Sequence, residues 1–107
     1  MPKSNKIIVC MSADDSERLR MLQRMAVKLG LATTPGDASK LIRMYPQDFD
    51  LTSTYLVLAE RYDLNSSHHT TQQLYRMALS GIAVVVGARR VQPQFEFMCE
   101  IIQQGEI

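Results

Sequence analysis

The side chains best able to do chemistry fall into three small groups: the adjacent histidines His68 and His69, the cysteines Cys10 and Cys99, and the pair Arg89 and Arg90. Neighbours on a helix point about 100° apart, and no further His, Cys or acid stands at ligand spacing from the histidines. A capped turn accounts for them, and no metal is expected. Each cysteine would need a nearby base to act as a nucleophile, and none is identifiable, so both are expected to be buried structural thiols. Arg89 and Arg90 follow an apolar run and read as a solvated turn, with an anion or a partner's carboxylate as the secondary reading. No phosphate-binding loop, nucleophile elbow or paired zinc motif occurs, and the glycines are scattered. No enzyme activity and no cofactor are expected.

Any remaining function must come from a surface, and the chain sets the size of that surface. Its 107 residues, 46% hydrophobic and 21% charged, suit a single folded domain over 1–107. There is no secretory signal pattern, and the two cysteines lie near opposite ends, which together predict a reducing cytoplasm. The longest apolar stretch, residues 82–86 with Ala88 beyond Gly87, is far short of the roughly 20 residues that span a bilayer, so no membrane partner is expected. Charge is uneven. Residues 1–45 carry a net +4 and residues 46–107 a net −3, a division that hints at a polyanion-binding end or marks an ordinary solvated helix face.

The elements that would position this surface can be read in order. Residues 6–11 are rich in β-branched side chains and follow turn-like Pro2 and Asn5, predicting a short strand. Ser12 and the acids Asp14 and Asp15 then start a helix over 14–29, with Leu19, Leu22, Met25, Ala26 and Leu29 on its apolar stripe and Gly30 at its C-terminal stop. Thr34, Pro35 and Asp37 open a second helix, striped by Ala38, Leu41, Ile42 and Tyr45 and ended by Pro46. A third helix is predicted from Thr52 or Ser53 with Tyr55, Leu58, Ala59 and Tyr62 inward, and a fourth, capped by Ser67 or Thr70, carries Leu74, Met77 and Ala78 up to Gly81. Residues 82–86 suit a buried strand or a continuing helix, and Phe95, Met98, Cys99 and Ile102 have helical spacing. Most tyrosines and methionines fall on these stripes and are assigned to the core.

Shifting residues 22–45 by 33 positions superposes Ala26 on Ala59, Leu31 on Leu64, Leu41 on Leu74, Arg43 on Arg76 and Met44 on Met77. Either a duplication or two similar amphipathic patterns would produce this.

The order strand, helix, Gly-containing turn, helix over residues 6–45 resembles the ribbon-helix-helix family of Arc- and MetJ-like DNA-binding proteins. The segments that carry the resemblance are the strand 6–11, Met25-Ala26-Val27-Lys28-Leu29-Gly30-Leu31, and the turn and helix from Thr33 to Arg43. It implies a mainly α fold with short β, in which 46–107 is a helical extension. It also implies a homodimer, or a higher oligomer, whose strands pair antiparallel into a ribbon for the major groove of duplex DNA.

On that reading Ile7, Val9 and Met11 face the core, while Lys6, Ile8 and Cys10 face the groove. Thr33, Thr34 and Gly36 would touch phosphate, or simply cap the helix. Lys3, Lys6, Arg18, Arg20, Lys28, Lys40 and Arg43 would supply phosphate attraction. The expected function is a transcriptional repressor or plasmid-maintenance factor. The alternative is a non-enzymatic interaction or adaptor module, in which residues 6–11 are buried on both faces and pair with 82–86 in a two-stranded sheet inside one chain.

Overall fold

A computed structural model describes residues 6–42, 55–57, 68–91, 93–103 and 105. The first strand, β1 (Ile7–Met11), leads into α1 (Asp15–Lys28) and the short α2 (Pro35–Ser39). Strand β2 (Tyr55–Val57), helix α3 (His68–Leu79) and strand β3 (Ala83–Ala88) follow. A 3₁₀ segment (Pro93–Met98) runs directly into β4 (Cys99–Gln103).

The strands form one parallel sheet in the order β2-β3-β1-β4. Ile8 lies opposite Val85 on one side of β1 and Glu100 on the other. A central parallel strand is covered on both faces, which is why β1 and β3 read as unbroken apolar runs without alternation. On one face Ile7, Val9, Val84, Val86 and Ala88 pack with Leu74 and Ala78 of α3 and with Phe95 and Met98. On the other, Ile8, Cys10 and Val85 pack with Met21, Leu22, Met25 and Ala26 of α1 and with Ala38 of α2. The layering is helix, sheet, helix.

Both long helices stop where the glycines stand. Gly30 has φ +76° and Gly81 φ +98°, a left-handed turn that costs glycine nothing. Gly30 N donates to Val27 O and Leu31 N to Ala26 O, and Gly81 N and Ile82 N repeat the pattern on Ala78 O and Met77 O, satisfying the last helical carbonyls.

This architecture overturns the expected mainly α, ribbon-helix-helix fold. A ribbon needs one free edge on the first strand, and both edges of β1 are taken, by β3 and β4 of the same chain. The pairing is parallel, not antiparallel. The sheet is also larger than the two strands of the second reading, since β2 and β4 extend it.

Residues 55–57, expected in a helix, are a strand, and the remainder of that expected helix lies outside the described residues. Leu22, Gln23 and Arg24 are helical whereas Tyr55, Leu56 and Val57, their counterparts under the 33-residue shift, are extended, so the two stretches differ where both are described. Helix α2 ends at Ser39, before Leu41 and Ile42, and Tyr45 lies outside the described residues. Phe95 and Met98 belong to the 3₁₀ turn, and Cys99 and Ile102 to β4.

Burial fixes the behaviour of the thiols. Cys10 is fully enclosed, which pushes its pKa from 9.0 up to about 12. Burial lifts Cys99 to about 11, with Lys6 opposing the rise and Glu96 adding to it. Folded values above unfolded ones mean that this stability is fully present below about pH 9 and is lost as pH climbs through the window from 9 to 12. Both thiols should therefore resist a bulky thiol reagent at pH 8 until denaturant is added, and a Cys10→Ala variant should lose stability less steeply above pH 9. Rapid labelling of the native protein at Cys10 would contradict the enclosed strand.

Candidate nucleic-acid interface

Helix α1 separates its two faces cleanly. Met21, Leu22, Met25 and Ala26 are buried against the sheet, while Arg20, Arg24 and Lys28 are exposed on the other side at four-residue intervals. With a rise of about 1.5 Å per residue, these three cations stand one turn apart along roughly 12 Å of helix. Arg20 Nη1 is held by Glu17 Oε2 at 3.1 Å, and its side chain remains 61% exposed. Among the described residues, neither Arg24 nor Lys28 has an acidic partner.

Helix α2 is docked beside this face. Ala38 is buried in the α1 core cluster, and Gln23 Nε2 donates to Ser39 Oγ at 2.6 Å. Lys40, just past the end of α2, is 81% exposed, with Asp37 Oδ1 at 3.9 Å. Thr34 Oγ1 accepts from Asp37 N at 3.1 Å and so caps α2; Thr33 and Gly36 are exposed beside it.

The residues expected to face a groove are distributed differently. Ile8 and Cys10 are buried under α1, and Lys6 is exposed ahead of β1. Lys3 and Arg43 lie outside the described residues. Arg18, counted among the phosphate-attracting cations, is fully buried. Its Nη1 donates to Ser12 O at 2.8 Å and its Nη2 to Asp15 Oδ1 at 2.5 Å, so it ties the end of β1 to the first turn of α1. The spacing gave a warning, because Arg18 sits one turn before Met21 and Leu22 on the buried stripe.

Arg24 was absent from the expected phosphate-contacting set, yet it stands at the centre of the exposed row. Its place four residues from both Arg20 and Lys28 was the available signal.

The start of α1 is built from acids. Asp14 Oδ1 caps it, accepting from Ser16 N at 2.8 Å and Glu17 N at 3.1 Å, whereas Ser12, the expected cap, accepts from Asp14 N. Arg89, at the end of β3, is 68% exposed and lies 3.8 Å from Asp15 Oδ1, a surface pair of small energetic weight. His68 and His69 open α3, their side chains outside the described set. Among the described residues no group of three or more metal-ligating side chains occurs, and no helix is long and apolar enough to cross a membrane.

No protein-family model, curated protein or solved structure matches this chain.

Proposed function

We propose that this domain binds duplex DNA through phosphate contacts from the outer face of α1, and that it works in the cytoplasm, where its two free thiols stay reduced. The observation that supports this reading is the row Arg20, Arg24 and Lys28, exposed on one face of a helix whose other face is fixed to the sheet. Lys40, just past the end of the helix packed beside it, adds a fourth cation. Rigid placement of the row matters, because arms held in position lose less freedom on binding than arms on a loop.

Neutralising three or four phosphates predicts a slope of log affinity against log salt of about −2.7 to −3.6, equivalent to a roughly 40- to 150-fold loss between 50 and 200 mM salt. An Arg24→Glu/Lys28→Glu double variant changes only exposed positions, so its melting temperature should match the parent. Its affinity for a labelled 20-base-pair duplex should fall more than tenfold, and its salt slope should flatten by about 2. Unchanged affinity in the double variant would refute the assignment of this face.

A second reading, a protein-interaction module, is favoured by the exposed Leu79 and Phe97, the latter meeting the ring of Tyr75 edge-on at 5.9 Å. It takes precedence if no duplex binds at low salt.

A further inference from the structure

We infer that the contact with DNA is sequence-independent, made to phosphates alone, with α1 lying across the backbone instead of entering a groove. The inference rests on the reading of α1 as the DNA-binding face, and it follows from which end of the helix carries which charge.

Helices that read bases present their first residues to base edges. In α1 those positions are Asp14, Asp15, Ser16 and Glu17, three carboxylates and one exposed hydroxyl. The carboxylates can only accept, and each is already engaged, Asp14 as the cap, Asp15 with Arg18 and Glu17 with Arg20, so the Ser16 hydroxyl is the one donor among these four side chains. Three carboxylates at the leading tip would also have to enter between two rows of phosphates. The cations begin one turn later and run to the far end, so the charge pattern favours contact along the side of the helix.

Base reading also relies on side chains held in one orientation, amides foremost. Gln23, the amide on α1, is half-buried and donates to Ser39. The hydroxyl of Thr34 is committed to its cap. Arg20, Arg24 and Lys28 remain, long arms projecting from an exposed face, suited to charge contacts that position without specifying. Strand β1, the other element that could have read a groove, lies inside the sheet.

The test uses the full chain. Its affinities for poly(dA·dT) and poly(dG·dC) duplexes are compared at 50 mM salt, and a pool of randomised duplexes is taken through several rounds of selection. The expected result is binding to both polymers within threefold and a selected pool with no enriched motif. A larger preference for either polymer, as from an arginine inserted in a narrow minor groove, would overturn the inference while leaving DNA binding intact. So would an enriched motif. Failure to bind any duplex at 50 mM would overturn the proposed function itself.

Discussion

A chain ending at residue 45 is expected to show no cooperative thermal transition and little helical ellipticity. It retains β1, α1 and α2 but loses β3 and β4, the strands on both sides of β1. Without them Ile7, Val9, Ile8 and Cys10 face water on one or both sides, and α1 has no sheet on which to lay Met21, Leu22, Met25 and Ala26. A 14-residue helix on its own is marginal, since nucleation is costly and packing supplies most helical stability. Circular dichroism and sedimentation decide the matter. A cooperative melt coupled to dimer formation would contradict the enclosed position of β1, because only strand pairing between two copies could then hold the fragment together.

Replacing Arg18 with alanine is expected to cost about 3–5 kcal/mol, a large share of the roughly 5–15 kcal/mol that holds a domain of this kind together. The loss has three parts. Ser12 O loses its buried donor, Asp15 loses its closest cation, and the space of a fully buried arginine is left open. Arg18→Met fills much of that volume without restoring a donor, so it should fall between the parent and the alanine variant. Asp15→Asn should cost less than Arg18→Ala, because the Asp15 side chain is 36% exposed and water can solvate what remains. Urea titrations of the four proteins give the order directly. A loss below about 1 kcal/mol for Arg18→Ala would mean that the buried guanidinium contributes little beyond its own desolvation cost.

Local signals in the chain proved readable, and non-local ones did not. The strand at 7–11, the helix at 15–28 and the glycine stops at Gly30 and Gly81 follow from side-chain shape and backbone freedom within a few residues. What β1 pairs with is another kind of fact. Ile8 and Cys10 are equally apolar whether they line a ribbon or sit beneath a helix, and nothing near them in sequence names Val85 or Glu100 as their neighbours.

The same ambiguity hid β4. Phe95, Met98, Cys99 and Ile102 have helical spacing, yet a tight 3₁₀ turn takes the first two and an extended strand the others. At the candidate interface, the cationic excess of the N-terminal third was legible, but its division was not. Arg18 and Arg24 are identical residues on one helix, and only their angle to the sheet makes one a buried staple and the other an exposed arm.

The position of β1 also bears on how the protein comes into being. Its first strand is made first and its partners last, Ile7 meeting Cys99 across nearly the whole length of the chain. Contacts so distant in sequence slow folding, since the entropy of closing long loops must be met before any pairing rewards it. During synthesis at roughly 5–20 residues per second, the strand Ile7–Met11 leaves the ribosome seconds before β4 exists to cover it. For that interval an apolar, β-prone segment lacks its native partners, the condition in which such segments are most open to wrong pairing.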